Sequence, residues 1–265
     1  MSRSIFEVGR LITSGLGRAA GAIGHRRPSP PLGATALRLA CAAALDLPVE
    51  DLRPGSVRIQ PIQGSYAPFG SPCPLAIVQT IEGAAVKIFA PLLRDLGPLL
   101  AEPPAGGAIL SPANQARIIE ALEGRFPLRE VWHQALYYTD RAHFLPDVRH
   151  RVVPLPPGQR PEGQRAGPHE ASAAQGALGI AVRGEVVAYA DYAPRSEYCA
   201  SVAVYTDERF RGQGLGRSVV SAATKAVLAA GKITIYSADI ENIASQAVCT
   251  SLGYAKFGED LHCFV

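Results

Sequence analysis

The chain has 265 residues, of which 48% are hydrophobic and 18% charged, and its net charge is +3. That length admits one large domain or two small ones, and the apolar share supports a buried core and excludes global disorder. No apolar run approaches the ~20 residues a membrane-spanning helix needs, so stable membrane insertion is not expected. So small a net charge gives no case for a nucleic-acid partner.

The positive charge is local. Residues 1–32 hold Arg3, Arg10, Arg18, Arg26 and Arg27 against the single acid Glu7. Ile5, Val8, Ile12 and Leu16 fall near one helical face, and the segment ends in a Pro-rich stretch, Pro28 to Pro31. It reads as a basic, flexible tail, with a targeting peptide or a surface-membrane helix as alternatives. The five cysteines are odd in number and form no C-x-x-C pair, which reads as free thiols in a reducing compartment, hence cytoplasmic. The histidines show no metal-ligand spacing, so no metal is expected.

Residues 33–150 read as an N-terminal α/β domain. An Ala/Leu-rich helix is predicted over 35–46, with Thr35 at its N-cap and Pro48 stopping it. Strands are predicted over 55–61, 75–81 and 85–90, and a short helix over 92–102. A second helix over 112–123 has Ser111 as N-cap, Pro112 at its first position and Gly124 past its end. A strand over 130–138 follows.

Residues 151–177 are crowded with Pro and Gly and read as a linker or long loop, placing a domain boundary near 149–157. The remainder, 178–265, is more regular. Strands are predicted over 178–182 and 185–192, joined at Arg183-Gly184, and a third over 197–205. A turn-rich segment then leads into a helix over 214–230 with Gly231 as C-cap. A strand over 233–238, a helix over 243–252 closed by Gly253, and two strands over 254–257 and 261–265 around the turn Gly258-Glu259-Asp260 complete the order β-β-β-α-β-α-β-β.

The third strand meets the long helix through Arg209-Phe210-Arg211-Gly212-Gln213-Gly214-Leu215-Gly216-Arg217. A strand entering a glycine-rich turn and then a helix builds an anion site, because glycines allow close backbone approach and the first helical N–H groups point outward with the positive end of the dipole. A diphosphate suits it. No G-K-[ST] follows, which excludes a Walker loop, and the third-glycine spacing of a dinucleotide fingerprint is missing. The pattern [Q/R]-x-x-G-x-[G/A] fits Arg211 to Gly216, and Asn242, Ser245, Cys249 and Leu252-Gly253-Tyr254 follow about thirty residues later. On these two motifs, 178–265 resembles the GNAT family of N-acetyltransferases.

The resemblance implies a mixed, mostly antiparallel central sheet of the acyl-CoA N-acyltransferase type with flanking helices, preceded by a smaller α/β domain. It implies acetyl-CoA as co-substrate. Arg209, Arg211, Gly212, Gln213, Gly214, Leu215, Gly216 and Arg217 would hold the pyrophosphate. Backbone groups of Val202, Ala203 and Val204 would pair with the pantetheine arm where two parallel strands splay apart, and Asn242 and Ser245 would contact the far arm. It implies direct transfer to a primary amine, either a small molecule or a protein amino group.

Two departures bear on chemistry. The family's proton-donating tyrosine falls at Cys249, and the acceptor-side helices expected between the first two strands are replaced by the Pro/Gly-rich stretch. Asp191 and Glu197 are candidates for the base, each also readable as a strand-edge polar residue. Cys249 could be a nucleophile or a small buried helix residue, and His262 could face the acceptor or lie at the surface. Residues 33–150 would then supply the acceptor wall, a dimer surface or a regulatory site. The contrasting reading is a non-catalytic acyl-CoA-binding protein, a degenerate GNAT with a regulatory or interaction role.

Overall fold

The computed structural model describes residues 34–63, 66–67, 71–101, 108–156 and 176–265. The expected basic tail and most of the Pro/Gly-rich stretch lie outside the described residues. In chain order the main elements are α1 (Ala34–Leu45), β1 (Val57–Ile62), β2 (Leu75–Thr80), β3 (Gly83–Phe89), α2 (Leu93–Ala101), α3 (Pro112–Glu123), β4 (Glu130–Thr139), β5 (Val153–Pro154), β6 (Gly176–Val182), β7 (Glu185–Pro194), β8 (Cys199–Thr206), α4 (Leu215–Ala229), β9 (Ile233–Asp239), α5 (Ile243–Ser251) and β10 (Ala255–Phe264).

All ten strands join one sheet in the order β1-β3-β2-β10-β4-β9-β8-β7-β6-β5. Among the described residues only β1/β3 and β8/β9 pair in parallel. The change in composition at 151–177 therefore does not coincide with a break in the sheet. The final strand β10 lies between β2 and β4, and β4 lies between β10 and β9. A strand from each part of the chain is thus embedded among strands of the other.

Strand alternation sends side chains to two faces. On one face, α4 and α5 cover Val187, Ala190, Val202, Tyr236 and Ala238 through Val219, Val220, Ala223 and Cys249. On the same face, α2 and α3 cover Leu75, Ile77, Val86 and Leu261 through Leu96, Leu100, Ile118 and Leu122. The opposite face is covered by α1, whose Leu39, Ala40 and Leu45 pack on Cys199, Ile233, Ile235, Leu136 and Phe257. A single 12-residue helix spans little of so wide a sheet, and part of that face is left as a trough.

The predicted pair of closing strands is corrected. Residues 255–264 form one strand, and Gly258-Glu259-Asp260 stays extended within it. The register shifts between Lys256 and Gly258, so both Phe257 and the alternating set 258, 260 and 262 face the α1 side. Gly258 is needed for close approach rather than for a turn, since a Cβ there would overlap the Gln79 carbonyl oxygen.

Candidate functional site

The glycine-rich loop lies at the end of β8. Asp207 caps a 3-10 turn over Glu208–Phe210, accepting the Arg209 amide at 2.9 Å. Gly212 and Gly214 then take φ of +75° and +78°, a left-handed conformation that strains other residues, and Gly214 is the N-cap of α4. Gly216 faces the strand so closely that a Cβ would lie 2.9 Å from Thr206 Oγ1. Residues 211–214 are exposed and Leu215 is buried. The first N–H groups of α4 have no intrahelical acceptor and point out of the helix end.

Charge around the loop is partly engaged. Arg209 pairs with Asp207 at 2.9 Å, and that hydrogen bond holds the Asp207 carboxyl below its usual range. Arg211 reaches Glu208 at 3.3 Å. Arg217 Nη1 donates to Asp147 at 3.2 Å, while its Nε is buried and has no hydrogen-bond partner among the described residues. An orphaned guanidinium N–H beside exposed helix-start amides suits an anionic group.

One arm of this site carried no motif. The segment 147–150 crosses the start of α4: the amides of Asp147 and Arg149 donate to Ser221 Oγ and Ser218 Oγ, and His150 Nε2 meets the Gln213 carbonyl at 3.0 Å. Hydrogen bonds from Arg149 and then Arg217 hold the Asp147 carboxyl below the usual carboxylate range. The serines in the first two turns of α4 were the available signal, as buried hydroxyls need partners.

Beside the loop, β8 and β9 part. They pair from Cys199↔Ile233 to Val202↔Tyr236, after which β8 continues to Thr206 and β9 to Asp239. The edge of β8 at Ala203–Val204 therefore faces a gap. Asn242 accepts the Ser245 amide at 3.0 Å as the N-cap of α5, and Ser245 Oγ meets the Tyr236 hydroxyl at 2.8 Å, so both residues have a structural task at this point.

Asp191, Glu197 and Cys249, considered for chemistry, are dispersed. Asp191 is buried on β7 opposite Ala203, one strand from the gap. Glu197 is exposed in the β7–β8 turn, at the other end of β8 from the glycine-rich loop, about 25 Å away by the rise of a strand. Cys249 is wholly buried, its Sγ donates to the Gln246 carbonyl at 3.2 Å, and burial pushes its thiol up to about 12. At that value it is a poor acid at neutral pH and a poor nucleophile.

The trough beside α1 forms a cavity of about 390 Å³. Its floor includes Ser201 and Ser237, which flank the point where β8 and β9 part, then Leu136 and Gln134 on β4, and Asp260 and His262 on β10. Lys87 at its wall pairs with Asp46 at 3.0 Å and lies over the Tyr66 ring. Residues of β2, β3 and α1 thus wall a space whose lining includes Ser201 and Ser237 beside the β8/β9 gap. The alternation Asp260-Leu261-His262 was the sequence signal for two polar groups on one face, masked by reading 258–260 as a turn.

Residues 177–265 match the family model described as FR47-like protein. This part of the chain is a GNAT-related domain. Among solved structures, the chain is similar to a GCN5-related N-acetyltransferase from Kribbella flavida, at 19% identity and TM-score 0.38 over 56% of this chain and 63% of that one. It is also similar to a GCN5-related N-acetyltransferase-like protein from Streptococcus suis, at 16% identity and TM-score 0.43 over 57% and 68%. A GNAT-family acetyltransferase from Colwellia psychrerythraea matches at 14% identity and TM-score 0.37 over 58% and 63%. The chain thus spans less than two thirds of the Kribbella and Colwellia proteins. A comparison with curated proteins finds no match. A GNAT-related domain supports transferase, and more narrowly acyltransferase, chemistry. Among the described residues no group of side chains is placed to hold a metal ion, and no helix is long and apolar enough to cross a membrane.

Proposed function

We propose that this protein is an N-acetyltransferase that moves the acetyl group of acetyl-CoA to a primary amine by direct transfer in a ternary complex. The observation that carries the reading is the left-handed Gly212–Gly214 turn opening α4 beside the gap between β8 and β9. The amides of Gly212 to Gly216 would hold the pyrophosphate, with Arg217 Nε adding a charged donor. The open edge of β8 at Ala203–Val204 would receive the pantetheine arm as an added strand. Asn242 and Ser245, engaged in capping α5, would lie along the far arm. Bound acetyl-CoA would supply an activated acyl carbon.

The transfer balances simply. The acceptor ammonium loses one proton, its nitrogen attacks the thioester carbonyl carbon, the C–N bond forms as the C–S bond breaks, and the thiolate leaves with a second proton taken from that nitrogen. A backbone N–H near Val204 would serve the oxyanion. Asp191, one strand from the gap, is the better positioned of the two carboxylates considered as base.

Calorimetric titration with acetyl-CoA, followed by a CoA-release screen over an amine panel, tests the reading. Binding with turnover supports it, and absence of acetyl-CoA binding defeats it. The buried thiol at Cys249 favours a second reading, a non-catalytic acyl-CoA-binding protein; binding without turnover on any acceptor would select it.

A further inference from the structure

We propose that the cavity beside α1 is the acceptor pocket and that Asp260, steadied by His262, binds a second cationic group of the acceptor, making the substrate class small diamines rather than simple monoamines. The inference rests on the N-acetyltransferase reading for the fate of the first amine, but the pocket's preference for a cation stands on its own observations.

Asp260 is 9% exposed, lines the cavity, and its Oδ1 has no hydrogen-bond partner among the described residues. A buried carboxylate left in this state is costly, and a cation or donor entering the pocket relieves the cost. His262 is 7% exposed on the same face, with Nδ1 3.7 Å from Asp260 Oδ1, beyond a hydrogen bond. The positive charges of the cavity do not fill the role. Lys87 is engaged by Asp46 and lies over the Tyr66 ring, and Arg195 is exposed in the β7–β8 turn.

Position decides between reacting group and distal anchor. Asp260 pairs with Gln134, and Gln134 pairs with Asp239 at the end of β9. It therefore stands two strand spacings from β9, about 10 Å. A nitrogen held by Asp260 is too far from the gap to attack a thioester there. An acceptor with one amine at the gap and a second cation at Asp260 spans the cavity, and the apolar floor of Leu136 and wall of Val78 and Ala85 suit a methylene chain between them.

The test uses the full chain, with 1,5-diaminopentane and spermidine as probes and n-pentylamine as the monoamine control. Binding is read by calorimetry and by the shift of the His262 imidazole resonances in labelled protein. The diamines should bind the wild type at least about tenfold more tightly than n-pentylamine, and Asp260→Asn should remove that advantage. Acetyl-CoA affinity and the thermal midpoint of the variant, measured in parallel, show that it remains folded. If acetylation occurs, the diamine advantage should appear in KM and vanish in Asp260→Asn. Equal affinity for diamine and monoamine, or an advantage that survives Asp260→Asn, overturns the proposal. Failure of acetyl-CoA to bind defeats the acetyltransferase reading but leaves the amine titration to decide the pocket. Should Asp260→Asn not fold, His262→Gln is the second variant; unchanged diamine affinity there, with no diamine-dependent resonance shift in the wild type, also overturns it.

Discussion

Val202 and Tyr236 are the last residues at which β8 and β9 pair, and the glycine-rich loop begins one turn beyond the end of the released strand. An open strand edge and an exposed helix start thus lie side by side. Gly214 is the N-cap of that helix start. Gly214→Glu should abolish acetyl-CoA binding, placing a carboxylate and its bulk where an anion would sit. Gly214→Ala separates this from backbone strain: at φ +78° it should lower stability by about 1 kcal/mol while leaving measurable affinity. Calorimetry and thermal melting of the two variants check this, and unaltered binding in Gly214→Glu would remove the loop from the site.

Arg217 joins the loop to the segment before it. Arg217→Ala should weaken acetyl-CoA binding by roughly tenfold or more, as expected for loss of a charge-assisted contact. It should also leave Asp147 to Arg149 alone. The Asp147 carboxyl is depressed in the folded state, so its contribution is present above the ordinary carboxylate range and is lost as pH falls through its lower folded value. Thermal stability should therefore carry a small Asp147 contribution at neutral pH that is lost on acidification, and the Asp147→Asn variant should show a flatter acid limb in its melting temperature.

Much of the loop and little of the pocket was legible in the residues. Gly212, Gly214 and Gly216 carry their meaning locally, because each is required by the turn between one strand and one helix, and α3 and α4 announce themselves through Pro112 and Gly231. The pocket is built by partners distant along the chain. Asp260 is buried because β10 inserts between β2 and β4, whose sequences lie well over one hundred residues earlier. No local periodicity encodes that insertion, and Gly258 reads as a turn until the nearby Gln79 carbonyl explains it. Cys249 shows the converse: its place in the motif was clear, but its burial in the helix core was set by tertiary packing.

The exchange of β4 and β10 has a thermodynamic consequence. With every strand in one sheet, the described chain should unfold in a single calorimetric transition, with equal van't Hoff and calorimetric enthalpies, rather than in two. Phe257, 1% exposed and edge-on to Tyr138 at 5.8 Å, lies on the strand that joins the two parts. Phe257→Ala should lower stability by about 3–5 kcal/mol and shift that one transition as a whole. Two resolved transitions in the wild type, or in the variant alone, would indicate that the shared sheet does not couple the parts.

The buried thiols predict alkaline sensitivity. Burial raises Cys41 and Cys199 to about 11 and Cys73, Cys249 and Cys263 to about 12, against roughly 8.5 for a thiol in an unfolded chain. Above that unfolded value the unfolded chain sheds protons that the folded one retains. The stabilisation is complete below it and drains away as pH rises toward the folded value, at up to about 1.4 kcal/mol per pH unit for each thiol. Removing one thiol should flatten the slope by one such step. The difference in melting temperature between pH 7.5 and pH 10 should thus be smaller in Cys249→Ala than in the wild type. An aromatic disulfide reagent should leave all five cysteines of the native protein untouched at pH 8 and modify them only on unfolding. Rapid native modification of the wild type that disappears in Cys249→Ala would place that thiol at the surface, and would reopen its assignment as a nucleophile.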